Sequence, residues 1–350
     1  MKPKPAENPF VEALLQGLVK PPASPAAAAA KWDRLFNQDL AGADWDVSGI
    51  FTYDEILLRL FDAIYKVTGR RLFTTVHGLP LCIWNGGRPS QLSRKSPGDY
   101  DALMRDYAGR GIAVELTATN YNIDAAALQD PMGNAMLFLA SKYNPTGRNG
   151  VIVCEEVMVG HVRKTHPDLK LIASVVKVVK EDGRGRLDYY LDLEKRFDKI
   201  MLHPDDVVNP DLLRQLEHKD KYALLINEPC IRNCQVRKRH YQIVSDSVTN
   251  ILDPTFGEKE WALTVQNGCK NLENLLLAEE NQTLVLSSAE IKGLYDLGFR
   301  HFKIQGRGMR SEYAMILELY RVLFNHNPHM DHFIGRLMQA VMPACQPPER

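Results

Sequence analysis

Short apolar runs alternate with amphipathic segments along most of the chain. The runs occupy 71–80, 112–120, 150–156, 169–176, 199–204, 222–230, 261–269 and 301–308. Near-continuous apolar character is typical of parallel strands that are covered on both faces. Run 261–269 is the weakest of them and is also compatible with a loop. Eight strands that alternate with helices predict an α/β fold, a (β/α)8 TIM-type barrel, regular or distorted, rather than an open doubly wound sheet.

The two ends of the chain differ from this alternation. Within residues 1–50, FVEALLQGLV has apolar residues at helical spacing and PPASPAAAAA has the composition of a linker, so an N-terminal helical extension is predicted there. The barrel is expected over 51–330, and it opens with a helix in 51–69 that ends at a glycine. Residues 331–350 are expected to contain the end of the last helix and a tail.

Composition excludes several broad classes of protein. The 350 residues are 45% hydrophobic and carry no net charge, so nothing attracts the chain as a whole to nucleic acid, and RNA is the less favoured partner. No apolar run is long enough to predict a membrane span. The N-terminus lacks the apolar core of a secretory signal, so a cytoplasmic location is expected. In such a reducing compartment the six cysteines are expected to be thiols, metal ligands or catalytic groups.

Polar side chains cluster at the predicted strand ends, where the active sites of barrels lie. His77 and Glu115 are candidate catalytic groups, although a hydrogen-bonded histidine and an internal ion pair are open alternatives. Arg307 follows a glycine after the last strand, where its guanidinium is suited to clamp a carboxylate. The candidate substrate-binding residues are Asn120, Asn227, His203 and Gln305.

The segment NEPCIRNC places Cys230 and Cys234 directly after a predicted strand, and Cys269 ends the next run. Thiolates bind iron–sulfur clusters and zinc. The C-x2-C spacing common in structural zinc sites is absent, so a cluster is favoured over zinc. Cys154 and Cys82 are the open choices for a fourth ligand. The competing interpretation is a solvated loop that contains structural thiols.

Two segments, NEPCIRNCQVRKRHY and FRHFKIQGRGMRSEY, resemble the collagenase-like peptidase superfamily. The second contains the late K-I-x-G-R motif as residues 303–307, with Gln305 where members usually have Glu. The resemblance implies a barrel over about 70–325. It also implies a [4Fe-4S] cluster on Cys230, Cys234 and Cys269, since several members bind one for oxygen-independent hydroxylation of ubiquinone precursors or RNA bases. No further cysteine lies just upstream of Cys230, so three or four cysteine ligands remain open.

Three functional hypotheses follow. The leading one is an iron–sulfur oxidoreductase or hydroxylase that modifies a small anionic molecule. The second is a peptidase-like hydrolase or lyase that uses a divalent metal held by His203 with Asp205 or Glu155. The third is a non-catalytic barrel subunit that docks a homologous or identical partner through FVEALLQGLV and the basic run 237–240.

Overall fold

The computed structural model describes residues 40, 42–68, 71–86, 95–249, 255, 258–259, 262–263 and 283–305. The chain forms two compact units. One comprises 42–54 and 73–310 and contains the candidate site, and the other comprises 1–41, 55–72 and 311–350. No helix in the described ranges has both the length and the apolar character that a membrane span needs.

Eight parallel strands close into a barrel, which confirms the predicted fold class. In chain order they are β1 (Asp44–Ser48), β2 (Phe73–Gly78), β3 (Ala113–Ala118), β4 (Gly150–Val153), β5 (Lys170–Ala173), β6 (Lys199–Met201), β7 (Tyr222–Leu225) and β10 (His301–Ile304). Strand β10 pairs with both β1 and β7 and so closes the ring. Two further strands, β8 (Asn227–Ile231) and β9 (Thr283–Val285), form a separate antiparallel pair beyond the end of β7.

Helices follow most of the barrel strands. They are α1 (Asp54–Thr68), α2 (Pro97–Gly109), α3 (Pro131–Lys142), α4 (Glu156–Thr165), α5 (Val175–Lys180), α6 (Leu187–Arg196), α7 (Pro210–Gln215), α8 (Arg237–Thr249) and α9 (Ser288–Asp296). Five of these helices begin at a residue whose side chain can cap the helix N-terminus. Ser96, Asp130, Ser174, Asn209 and Ser287 each accept a backbone N–H of the first turn.

The first barrel strand lies inside the segment that the sequence assigned to an extension. Strand β1 reads DWDVS, in which polar and apolar residues alternate, so it lacks the apolar run by which the other strands were recognised. Trp45 and Val47 are buried nonetheless, and Asp46 pairs in register with Lys303 of β10. The ring closes without the predicted strand 261–269, and Ala262 and Leu263 of that run are helical. The remainder of 261–269 lies outside the described residues.

The barrel interior contains an apolar cluster and a set of charged side chains. Side chains from β4 to β7 form one packed apolar cluster that includes Ile152, Ile172, Met201, Ala223 and Leu225. Five ionisable side chains are here called the interior charge network: Asp46, His77, Glu115, Lys199 and Lys303. Lys199 on β6 contacts Glu115 on β3 although these strands are not neighbours, so the two side chains meet across the interior.

One outer helix packs so closely on the loop after β2 that it requires a glycine. Asp130 caps α3 and also accepts the backbone N–H of Ile83. Trp84 is 1% exposed and donates from Nε1 to the carbonyl of Ala127 at 2.6 Å. A Cβ added at Gly133 in the first turn of α3 would overlap the Trp84 ring. The packing of α3 therefore depends on the absence of a side chain at position 133.

Two glycine-to-alanine substitutions in outer helices are expected to have opposite effects. Gly133→Ala forces Trp84 to shift and should lower the free energy of unfolding by roughly 1–3 kcal/mol. In α4, a Cβ at Gly160 meets no described atom within 4 Å, so Gly160→Ala should raise the free energy of unfolding by about 0.5–1 kcal/mol. Urea unfolding of both variants measures this difference. Equal effects of the two substitutions would contradict the proposed contact.

Candidate functional site

A cavity opens at the carboxyl ends of the barrel strands. Its polar lining comprises His77, Thr117, Thr119, Ser174, Glu228, Tyr241, Lys303 and Gln305. Its apolar lining comprises Ile152, Val175, Val176, Met201 and Leu225. The cavity thus borders both the apolar cluster and the interior charge network. A concave site with an apolar wall and a few convergent polar groups is typical of small-molecule binding.

Asp46 organises the charged wall of this cavity. Its Oδ1 lies 2.6 Å from His77 Nδ1, and its Oδ2 accepts from Lys303 Nζ at 2.9 Å. Burial alone would raise the pKa of Asp46, but the charges of His77 and Lys303 outweigh burial and hold that pKa well below its usual range. Burial lowers the pKa of Lys303, and the carboxylates of Asp46 and Glu115 offset only part of that effect. Asp46 therefore stays ionised and orients two cavity-lining side chains.

His77 is a sequence candidate that the structure places on the cavity. It lies next to the last residue of β2, is 5% exposed, and is held through Nδ1 by the Asp46 carboxylate. A carboxylate on one imidazole nitrogen selects the tautomer and fixes the orientation of the ring. The pair of His77 and Asp46 has the arrangement of an oriented general acid or base.

Glu115 forms an internal ion pair rather than part of the cavity wall. It is 1% exposed, and Lys199 contacts its Oε1. Burial raises the pKa of Glu115, and the neighbouring Asp46 charge adds to that rise, while Lys199 and Lys303 oppose it. Of the two alternatives left open for Glu115 by the sequence, the ion pair is the one observed. Catalysis by Glu115 would require a ligand to reach below the cavity-lining residues.

The amide side chains were expected to orient a substrate, but two of the three hold the backbone. Asn120 is fully buried, donates to the carbonyl of Ile83 and accepts the backbone N–H of Asn122. Asn227 exchanges two hydrogen bonds, each 2.9 Å long, with the backbone of Gln305. Asn227 thereby ties the start of β8 to the end of β10. Only Gln305 of this predicted group lines the cavity.

His203 and Asp205 lie together at the end of β6, as the divalent-metal hypothesis requires. His203 Nδ1 accepts the backbone N–H of Asp205, and burial together with the charges of Arg237 and Arg184 lowers the pKa of His203 to about 3. Glu155 is instead paired with Lys180 at 2.5 Å. Within the described ranges, no three His, Cys, Asp or Glu side chains converge as metal ligands do.

Cys230 and Cys234 are partly exposed free thiols, whereas Cys154 and Cys82 are buried free thiols. Cys154 packs in the apolar cluster and donates to Glu155. Desolvation of the Cys230 sulfur raises the pKa of that thiol, Glu228 adds to the rise, and Arg237 offsets part of it. Because Glu228 also lines the cavity, the Cys230 thiol lies one side chain away from the cavity wall.

Two predicted site residues, Arg307 and Cys269, lie outside the described residues. The sequence also failed to single out groups that the structure places at the site. Asp46 was hidden in the expected extension, and Lys303 was recognised only as a motif position. Thr117, Thr119, Ser174, Glu228 and Tyr241 line the cavity as well. The alternation of aspartates with Trp45 and Val47 in β1 is the signal by which Asp46 could have been found.

Comparison with known proteins adds little beyond the fold. No family model and no curated protein matches the chain. One solved structure with a similar fold is described as that of the U32 peptidase Mk0906. It aligns with a TM-score of 0.45 and 12% sequence identity, over 75% of this chain and 92% of that chain. The barrel assignment rests on the closed ring of strands itself.

Substitution of the two buried carboxylates by amides should separate their roles. Asp46→Asn leaves buried Lys303 without its partner and should lower the free energy of unfolding by roughly 3–5 kcal/mol. Glu115→Gln should cost less, because its partner Lys199 is 17% exposed and can be solvated when the carboxylate is removed. Chemical unfolding at neutral pH compares the two variants. A larger loss for Glu115→Gln would contradict this assignment.

The pH dependence of stability should carry the signature of Asp46. Its pKa is depressed on folding, so the stability it contributes is present above its ordinary pKa of about 3.9 and is lost as pH falls below that value. We therefore expect the free energy of unfolding of the wild type to fall between about pH 5 and pH 3. Asp46→Asn should show a shallower fall across the same range. Parallel curves for the two proteins would show that Asp46 is not the titrating group.

Proposed function

We propose that this chain is an enzyme that binds a small anionic molecule with an apolar part in the mouth of the barrel. In this proposal His77 exchanges a proton with the bound molecule. The observation that carries the proposal is the 2.6 Å contact between buried Asp46 and His77 on the wall of the cavity. A buried, oriented imidazole in a cleft is costly to maintain and is characteristic of functional sites.

The charge of the network favours an anion. Asp46 and Glu115 supply two carboxylates and Lys199 and Lys303 supply two ammonium groups, so these four groups balance. Protonation of His77 adds a positive charge at the cavity wall. Bringing a ligand carboxylate to Lys303 and His77 restores the balance, since opposite charges attract strongly where water is excluded. An anionic group is accordingly expected at the charged wall.

The apolar residues that line the cavity favour an apolar part in the ligand. Ile152, Met201 and Leu225 expose aliphatic carbon and sulfur to the cavity. Burying apolar ligand surface there contributes about 25 cal/mol for each Å² removed from water. Thr117, Thr119, Ser174 and Gln305 add hydroxyl and amide groups around the opening, which are suited to fix the orientation of a polar substituent. The ligand should carry its acidic group at one end only.

Ligand binding should depend on the anionic group and on His77. A small carboxylic acid with an aromatic or branched body should raise the melting temperature, whereas its uncharged amide should not. His77→Gln should weaken carboxylate binding by about tenfold or more, which corresponds to about 1.4 kcal/mol. His161→Gln, on α4 and bonded to Asn134, is the matched control and should leave binding unchanged. Equal stabilisation by acid and amide would argue against an anion site.

An iron–sulfur cluster is the cofactor proposed for this site. Cys230 and Cys234 are free thiols, and Glu228, which lines the cavity, lies beside Cys230. Two nitrogens of the buried Arg237 guanidinium, Nε and Nη1, have no hydrogen-bond partner in the described part of the chain. Two unused N–H donors beside the Cys230 thiol suit a group that carries negative charge on sulfur. Cys269 is the third proposed ligand, with Cys154 as a further candidate. The cluster would supply electron transfer for oxygen-independent hydroxylation or a related redox change.

The other hypotheses have narrower support. A peptidase-like divalent-metal hydrolase or lyase is favoured by the contact of His203 with Asp205. A role as a non-catalytic subunit, and a homologous or identical partner, remain predictions from the sequence. Both alternatives predict that Cys230→Ser leaves function unchanged.

Anaerobic purification should yield a brown protein with about four irons and a broad absorption band near roughly 400 nm. Cys230→Ser and Cys234→Ser should each remove most of the iron and the band. Cys345→Ser is the control, because Cys345 in the C-terminal segment is not among the candidate ligands. A colourless wild-type protein without iron or sulfide would contradict the proposed cofactor.

A further inference from the structure

The turn between the two thiols has an unusual backbone. Strand β8 ends at Ile231, and Asn233 adopts a φ of 55° in the left-handed region. Non-glycine residues rarely adopt this conformation, although asparagine does so more readily than most. The turn sets the relative position of Cys230 and Cys234, which lie on either side of it. Something outside the turn must therefore stabilise it if the two thiols are to keep one arrangement.

Asp205 supplies such a contact from a distant part of the chain. It follows β6, and its side chain is 5% exposed. Its Oδ1 accepts the backbone N–H of Asn233 at 2.9 Å. This hydrogen bond joins residues 28 positions apart in the sequence. The backbone N–H of Asn233 in the turn is thus held by the carboxylate of Asp205, which follows β6.

Two arginines hold the same turn and the same carboxylate. Arg184, in the loop between α5 and α6, lies 3.4 Å from Asp205 Oδ2 and also donates to the side chain of Asn233. Arg237, at the start of α8, donates to the carbonyl of Ile231 at 3.2 Å and lies 3.9 Å from Asp205 Oδ2. The turn is therefore bonded at one backbone N–H, one backbone carbonyl and one side-chain oxygen.

We propose that Asp205 is a positioning residue that fixes the turn between Cys230 and Cys234, so that both thiols are held in the arrangement that binds the cofactor. Asp205 acts through Asn233, Arg184 and Arg237 and contacts neither thiol itself. The inference rests on the proposed iron–sulfur cluster and extends it. It also reassigns Asp205, which the divalent-metal hypothesis treated as a ligand, to the support of a thiol site.

A purely structural role for Asp205 would have a different consequence. A contact that only stabilises the barrel would change the melting temperature and leave cofactor binding per folded chain unaffected. A positioning role changes how firmly the thiols hold iron even when the chain stays folded, because supporting residues that orient metal ligands commonly alter metal affinity by about 10–100-fold. The rate at which a chelator removes iron separates the two roles.

The test is anaerobic reconstitution with ferrous iron and sulfide, followed by removal of iron with a chelator. Asp205→Ala should bind less than half of the wild-type iron, or lose its absorption band at least about tenfold faster. Asp211→Asn is the matched control, since Asp211 lies on α7 with its side chain 88% exposed. Iron content and chelation rate in Asp211→Asn should equal those of the wild type. Wild-type behaviour of Asp205→Ala would overturn the proposal.

A second pair of variants tests the turn without touching a buried charge. Asn233 is exposed, so its substitution does not disturb the core. Asn233→Gly and Asn233→Val both remove the side-chain contact to Arg184, but glycine tolerates a φ of 55° and valine does not. We expect Asn233→Gly to retain iron within about twofold of the wild type and Asn233→Val to lose it at least about tenfold faster. Equal retention by both variants would overturn the inference even if Asp205→Ala failed to fold.

The same experiment distinguishes failure of the inference from failure of the proposed cofactor. Loss of iron in Cys230→Ser and Cys234→Ser, with wild-type iron retention in Asp205→Ala and Asn233→Val, would refute only the positioning role. Full iron retention in both cysteine variants would refute the cluster assignment and the inference together.

Discussion

The buried carboxylate of Asp46 is the constraint on which the site depends. A carboxylate that is 6% exposed is tolerated only when its charge is compensated, and here both oxygens are used, one for His77 and one for Lys303. These contacts join three neighbouring strands, β2, β1 and β10, at the seam where the barrel closes. The contacts that make the charged interior tolerable therefore also present an oriented imidazole and an ammonium group to the cavity.

The cavity combines apolar and charged side chains. Ile152, Met201 and Leu225 cannot compensate a charge, whereas His77 and Lys303 carry the polar atoms of the interior charge network to the cavity lining. The Cys230 thiol lies near this same opening, because Glu228 lines the cavity and lies beside Cys230. A single opening thus brings together the His77 imidazole, the Lys303 side chain and, one side chain away, a thiol.

Seven of the eight barrel strands could be recognised from their apolar character, because a strand covered on both faces leaves little room for polar residues. Strand β1 could not be recognised, because Asp44, Asp46 and Ser48 interrupt its apolar character. The partners of the two aspartates, His301 and Lys303, lie on β10, which is distant in the sequence. The candidate site was predictable in its location, at the strand ends, but less so in its members. His77 and Gln305 line the cavity, whereas the side chains of Asn120 and Asn227 bond the backbone. The sequence cannot separate these cases, because an amide that bonds the backbone has the same sequence appearance as one that bonds a ligand.

The most direct test of the account is to observe the proton between His77 and Asp46. Nuclear magnetic resonance of the chain labelled with ¹⁵N-histidine, with His77→Gln used to assign the signal, reports which ring nitrogen carries a proton. We predict that Nδ1 of His77 is protonated at neutral pH, and that the signal of this proton disappears through exchange with solvent in Asp46→Asn. An unprotonated Nδ1 in the wild type, or an unchanged signal in Asp46→Asn, would contradict the central role given to Asp46.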